Sequence, residues 1–208
     1  MTALRDHWDQ VYRTRAAEQV SWYQPHARKS MELIRRAEPD LAAAIMDAGG
    51  GASTLVDGLI EAGYRDVTVL DLAQDALAMA QARLGKQASS VHWITADVLS
   101  AELPAARYDV WHDRAAFHFL TGPDDRARYM AQVRRAVKPG GHLVIATFAL
   151  DGPARCSGLD VVRYSPESLA DEMGDGFQLS WSAYEEHPTP SGAIQRFQYS
   201  LLRAVGAS

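Results

Sequence analysis

The sequence predicts an α/β fold, a doubly wound and mostly parallel sheet that closes with an antiparallel hairpin. Three observations carry the prediction: short apolar runs alternate with amphipathic helical stretches, glycines punctuate their ends, and the last two strand-like runs follow one another across a Pro- and Gly-containing turn. Five alternating strands and the closing pair make a seven-stranded sheet.

Leu4, Trp8, Val11 and Tyr12 recur at helical spacing, so a first helix is expected from Leu4 to Tyr12. Pro25 opens a second periodic stretch carrying Met31, Leu33, Ile34 and Ala37. Residues 1–38 are expected to form a helical lid ahead of a core of residues 40–208, all within one domain. Glu38-Pro39-Asp40 interrupts the helical pattern, and Ala43–Ala48 reads as a buried strand running into a tight glycine loop. Ser53 can cap the next helix, which bears Leu55, Val56, Leu59 and Ile60 and ends at Gly63. The rhythm repeats with a strand at Val67–Asp71, a helix at Asp75–Leu84 closed by Gly85, and a strand at Val91–Ala96. A fourth strand is expected at Tyr108–His112, then a helix at Asp124–Val137 stopped by Pro139-Gly140-Gly141, then a fifth strand at His142–Phe148. After Pro166 a short helix reaches about Met173, and the runs Phe177–Tyr184 and Ile194–Leu202 flank the turn-rich segment Pro188–Gly192 as a hairpin.

The chain has 208 residues, a net charge of −5 and 47% apolar side chains, an ordinary globular composition. The acidic balance argues against a protein that holds nucleic acid by neutralising phosphates. One cysteine, Cys156, makes no internal disulfide, and the scattered histidines offer no ligand pair at metal-binding spacing, so no metal is expected. Met1 to Asp9 carries acids and a His with no apolar run behind it, so neither an export signal nor a membrane span is expected. A cytoplasmic setting follows from these readings.

The informative segment is Asp47-Ala48-Gly49-Gly50-Gly51-Ala52-Ser53, an acid at a strand end followed by glycines where the backbone turns sharply and a ligand can approach. Asp71 stands 20 residues beyond Gly51 at the end of the next strand, where a carboxylate can accept both hydroxyls of a ribose. Asp97, after the third strand, can reach an adenine edge. In open α/β sheets ligands lie outside the carboxyl ends of the strands, which is where these groups fall. A dinucleotide fingerprint would need glycine at Thr54, which disfavours a nicotinamide oxidoreductase.

The loop reads as DxGxGxS, and with Asp71, Ala96-Asp97, the Lys138-Pro139-Gly140-Gly141 turn and the hairpin it resembles the class I S-adenosylmethionine-dependent methyltransferases. The likeness spans roughly Asp40 to Arg203 and implies a Rossmann-like fold, S-adenosylmethionine as cofactor and S-adenosylhomocysteine as product. It implies a cofactor site of Trp8, Trp22, Asp47, Ala48, Gly49, Gly50, Gly51, Asp71, Leu72, Asp97, Val98 and His112. In it the loop backbone meets the methionine part, Asp71 the ribose and Asp97 the adenine amine.

After the fourth strand stands His112-Asp113-Arg114-Ala115-Ala116-Phe117-His118, and the Asn/Asp-Pro-Pro-aromatic motif of DNA-base amino methyltransferases is absent. This stretch, with Pro123, Arg126 and Tyr129, resembles thiopurine and related thiol or halide methyltransferases. Trp8 to Tyr12 and Val20-Ser21-Trp22-Tyr23 resemble the opening of some protein lysine methyltransferases, where an aromatic segment folds over the cofactor. In-line methyl transfer needs alignment and dryness more than a strong base, and a thiol near pKa 8.5 is partly ionised at neutral pH whereas a lysine near 10.4 is not. His118 and Asp113 are the expected catalytic helpers, with Tyr23, Arg114 and His187 at the acceptor. The first reading of the acceptor is a small-molecule nucleophile. A protein lysine, or a cofactor-binding module without catalysis, is the alternative.

Overall fold

The computed structural model describes residues 2–205. In chain order the elements are α1 (Thr2–Thr14), α2 (Arg28–Ala37), β1 (Ala44–Ala48), α3 (Leu55–Glu61), β2 (Asp66–Asp71), α4 (Gln74–Leu84), β3 (Val91–Thr95), β4 (Tyr108–Arg114), α5 (Pro123–Ala136), β5 (Val137–Phe148), β6 (Arg155–Cys156), β7 (Leu159–Asp160), α6 (Pro166–Met173), β8 (Phe177–Pro188) and β9 (Ile194–Ala204). Seven strands form one sheet in the order β3-β2-β1-β4-β5-β9-β8. The pairs from β3 to β5 are parallel, while β9 runs antiparallel to both β5 and β8. The strand order reverses between β1 and β4, and the cleft there opens at the carboxyl ends of the strands.

Two apolar layers hold the sheet, and the alternation of side chains along the central strands divides them. Ile45, Val110, Val144 and Ala146 join Leu33, Leu55 and Leu77 of α2, α3 and α4. Met46, Trp111, Leu143 and Ile145 join Tyr129 of α5 and Leu169 of α6 on the other face. β1 is buried along its whole length, which is why Ala44, Ile45 and Met46 read as a continuous apolar run before Asp47 rather than an alternating one.

Some boundaries differ from the expected ones. Leu33 and Ile34 are fully buried, so α2 belongs to the helical layer on the sheet, and α1 alone of the two N-terminal helices contributes side chains to the cavity described below. Pro139-Gly140-Gly141 lies inside β5 rather than after the helix: Val137 already pairs with Tyr108, and a register shift before Val110 with Gly140 at φ +77° absorbs the kink. The hairpin strands run longer than expected, to Pro188 and Ala204, because pairing continues past the apolar runs to His187 with Gln195. The β6–β7 hairpin was not anticipated; Ser157 and Gly158, both at positive φ, turn it. No helix among the described residues is long and apolar enough to cross a membrane.

Candidate active site

A cavity of about 490 Å³ crosses the carboxyl ends of β1 to β4, a volume suited to a nucleoside-sized ligand with room beyond it. Asp47 ends β1, Asp71 ends β2 and Asp97 follows β3, so three carboxylates on neighbouring strands line one half. Ala48, Gly49, Gly50, Leu72, Val98 and His112 also reach the wall, as do Trp8 and Trp22 from the N-terminal segment.

The glycine loop is built for close approach. Gly49 has φ +70° and a Cβ there would overlap Ala116 of the loop after β4. Gly51 has φ +44°, and a Cβ there would sit 2.9 Å from Asp71 Oδ2 and 3.3 Å from the Tyr12 hydroxyl. Gly51 thus lies beneath Asp71 and is not itself part of the cavity wall. Arg83 of α4 clamps the loop from behind, donating to the carbonyls of Ala52 at 3.0 Å and Ser53 at 2.6 Å. The N-cap of α3 is Thr54 rather than the expected Ser53 and carries no side-chain cap; Ser53 Oγ accepts the Leu55 N–H two residues on, at 3.1 Å, a local turn that leads into the helix.

The acids are held differently. Asp47 is buried; its Oδ1 meets His112 Nδ1 at 2.7 Å, and His112 Nε2 meets Ser30 Oγ at 2.8 Å. With Nδ1–H donating to the carboxylate, Nε2 accepts from the serine hydroxyl. His112 therefore spends both nitrogens orienting Asp47, whose Oδ2 is buried with no partner among the described residues. Asp71 Oδ1 accepts the Ala73 N–H at 2.8 Å, and burial pushes the carboxyl up to about 7, with the Asp47 charge adding to the rise. Asp97 Oδ1 accepts the Leu99 N–H at 2.9 Å, which fixes the loop after β3.

Beyond β4 the structure redistributes the expected roles. Asp113 touches the cavity but is fully engaged: it accepts the N–H groups of Ala116 at 3.0 Å and Phe117 at 3.1 Å and the Tyr129 hydroxyl at 2.7 Å. These bonds brace Ala115, which sits at φ +65°, a conformation costly for a residue with a Cβ. Asp113 is accordingly a positioning residue, and burial pushes its carboxyl up to about 6. His118 does not face the acceptor. It is wholly buried against Phe119 and Phe148 outside the cavity wall, neither ring nitrogen has a partner among the described residues, and burial lowers its pKa to about 3. Its flanking phenylalanines, Phe117 and Phe119, mark it as a core residue of the short turn after β4. His187 also lies off the cavity wall; its Nε2 donates to the Ser21 carbonyl at 2.8 Å, pinning the segment that carries Trp22 and Tyr23.

Tyr23 and Arg114 do line the cavity. Tyr12 and Cys156 line it as well, and Gln24 and Phe119 do so without having been expected there. Tyr12 was legible, since it stands four residues after Trp8 on α1 and so shares its face. Cys156 was not, because only the β6–β7 hairpin folds it inward. Burial pushes its thiol up to about 11, leaving it protonated and inert at neutral pH. Trp8 packs edge-on against Trp22 at 5.6 Å and Phe119 at 5.0 Å, closing an aromatic roof.

Comparisons with known proteins agree with this geometry. Residues 45–141 match the family described as a methyltransferase domain. An uncharacterized methyltransferase of Mycobacterium bovis is 32% identical over 108 residues, covering 50% of this chain and 50% of its own. The chain thus spans about half the length of such curated relatives. EEF1A lysine methyltransferase 2 of Homo sapiens is 22% identical over 200 residues, covering 89% of this chain and 77% of its own. Among solved structures, 1,6-didemethyltoxoflavin-N1-methyltransferase of Burkholderia thailandensis superposes with a TM-score of 0.70 at 21% identity, over 99% of this chain and 85% of that one. The strand order, the glycine loop and the methyltransferase-domain match over residues 45–141 together make this chain similar to the S-adenosylmethionine-dependent methyltransferases.

Proposed function

We propose that the protein transfers the methyl group of S-adenosylmethionine to a small-molecule nucleophile. The observation that carries this reading is the single cavity that Asp47, Asp71 and Asp97 line at the ends of β1 to β3 and that the aromatic roof of Trp8, Trp22 and Phe119 closes. The residues fit the cofactor: Asp47 Oδ2 is an unpartnered buried acceptor suited to an ammonium, and Gly49, where a Cβ would overlap Ala116, lets the two loops that flank the cavity meet. Bound S-adenosylmethionine supplies an electrophilic methyl on a sulfonium.

The chain's own residues do the rest. Asp71 would accept the ribose hydroxyls and Asp97 the adenine amine, while Ser30-His112 holds Asp47 in place. Trp8, Tyr12 and Trp22 would keep water from a bound sulfonium, the dry setting that in-line methyl transfer favours. Asp113 sets the loop after β4 against which the acceptor aligns. Among the described residues Cys156 is protonated and His118 is turned into the core, so neither is a poised base, and the acceptor enters already ionised or loses its proton to water.

The protein-lysine reading is favoured by the lysine methyltransferase relatives, one covering most of this chain. Incubating the protein with methyl-labelled S-adenosylmethionine and a cell extract split by ultrafiltration separates the two. Label in the small fraction supports the proposal, and label on protein replaces it with the lysine reading. Label in neither, with S-adenosylhomocysteine binding intact, supports a cofactor-binding module without catalysis.

A further inference from the structure

The acceptor half of the cavity contains a cation that no carboxylate opposes directly. Arg114 donates from Nε to the Tyr199 hydroxyl at 2.9 Å and from Nη1 to the Trp22 carbonyl at 3.0 Å, both uncharged oxygens. Its Nη2 is buried and has no partner among the described residues. None of the ion pairs among the described residues includes Arg114. Glu185 is joined to it only through a hydroxyl, accepting from Tyr199 at 2.9 Å and also from Gln24 at 3.2 Å. Phe197 lies flat under the guanidinium, 4.4 Å away, so the group is fixed before any ligand arrives.

A half-buried guanidinium with a free donor is costly unless an anion completes it, and an Arg–oxyanion bond is among the stronger ones a site can offer. Burial is the larger cause at each of its neighbours, but the Arg114 charge adds to the lowering at His118 and His187 and works against the rise at Cys156. Position decides which molecule supplies the anion. The nucleoside-facing acids come from the β1, β2 and β3 side, whereas Arg114 ends β4 and is backed by Phe197 and Tyr199 of β9 on the opposite side of the switch point. Trp8, Trp22 and Phe119 line the same cavity and offer flat apolar surface.

We propose that the methyl acceptor is a flat, apolar small molecule carrying one anionic group, a carboxylate or its equivalent, which docks on Arg114 Nη2 while Trp8, Trp22 and Phe119 cover its body. The assignment rests on the methyltransferase reading above and narrows its substrate class. Arg114 binds and orients; it takes no part in bond making.

The test is calorimetric titration of the S-adenosylhomocysteine-loaded protein with matched pairs, naphthoate against naphthamide and benzoate against benzamide. Each acid is expected to bind at least about tenfold tighter than its amide. That preference should vanish in Arg114→Gln. Equal binding of acid and amide by the wild type, failure of both acids to bind, or a preference that survives in Arg114→Gln overturns the proposal. So does a more than tenfold loss of S-adenosylhomocysteine affinity in Arg114→Gln with no acid binding to the wild type, which assigns Nη2 to the methionyl carboxylate instead. The wild-type comparison needs no variant and stands if Arg114→Gln does not fold. Failure of the wild type to bind S-adenosylhomocysteine at all brings down the methyltransferase reading itself, a different result from loss of the acid preference.

Discussion

Replacing Asp71 with Asn should stabilise the ligand-free protein and weaken cofactor binding, two effects of opposite sign from one carboxylate. Burial and the Asp47 charge raise the Asp71 carboxyl from 3.8 to about 7. The unfolded chain has released this proton by about pH 5, while the folded one holds it until about 7. Folding stability therefore falls as pH rises from about 4 to 7, and the cost is fully present above 7. At about 1.4 kcal/mol per pKa unit the ceiling is about 4 kcal/mol. Water reaches one side of the group and an amide is also costly to bury, so the expected gain for Asp71→Asn at pH 8 is about 1–2 kcal/mol, or about 2–8 °C in Tm. The amide keeps an oxygen for the Ala73 N–H but loses the charge that strengthens the ribose bonds, each worth roughly 1.5–3 kcal/mol, so affinity should drop tenfold or more. Thermal denaturation of the free protein at pH 5, 6, 7 and 8 and titration with S-adenosylhomocysteine over the same range measure both. Wild-type affinity should weaken as pH falls through about 7, where a proton competes with the ribose, and the Asn variant should show no such slope. A variant less stable than wild type at pH 8, or one whose affinity is unchanged, refutes the reasoning.

Gly51→Ala should leave the chain folded but cut S-adenosylhomocysteine affinity at least tenfold by calorimetry, because its Cβ would stand 2.9 Å from Asp71 Oδ2 on a backbone at φ +44°. Asp113→Ala strips the Tyr129 hydroxyl and the Phe117 and Ala116 N–H groups of their acceptor, at about 1–3 kcal/mol for each group left buried, so the urea midpoint should fall by an amount equivalent to about 3–5 kcal/mol. His118→Leu should raise the melting temperature or leave it unchanged, since it removes two buried nitrogens without partners, and should leave labelled methyl transfer within about twofold; a pH-dependent loss of transfer would restore a catalytic role. His187→Ala should free the Ser21 segment, seen as faster amide hydrogen exchange over residues 20–24 with the β9 amides unchanged.

That Asp47, Asp71, Asp97 and the glycine loop meet at one cavity was legible because the signal is local. Strand, acid, glycine loop and helix lie within Ala43 to Ile60, and the backbone geometry at Gly49 and Gly51 admits few other residues. Asp71 was legible by spacing, since one βα unit has a nearly fixed length. The acceptor half was not, because its walls come from distant parts of the chain: Trp22 meets Arg114, Arg114 meets Tyr199, and the β6–β7 hairpin brings in Cys156. His118 and Asp113 sit where sequence position suggests chemistry, yet their direction depends on one short turn that rotates the histidine into the core and ties the carboxylate to backbone N–H groups.

Periodicity and turn chemistry, which act over a few residues, are sufficient to specify the elements, their alternation and the glycine loop at the strand ends. Which side chains share a cavity, which nitrogens are already spent and which guanidinium is left one donor short are properties of contacts between residues up to 166 apart in sequence, and only the packed sheet decides those.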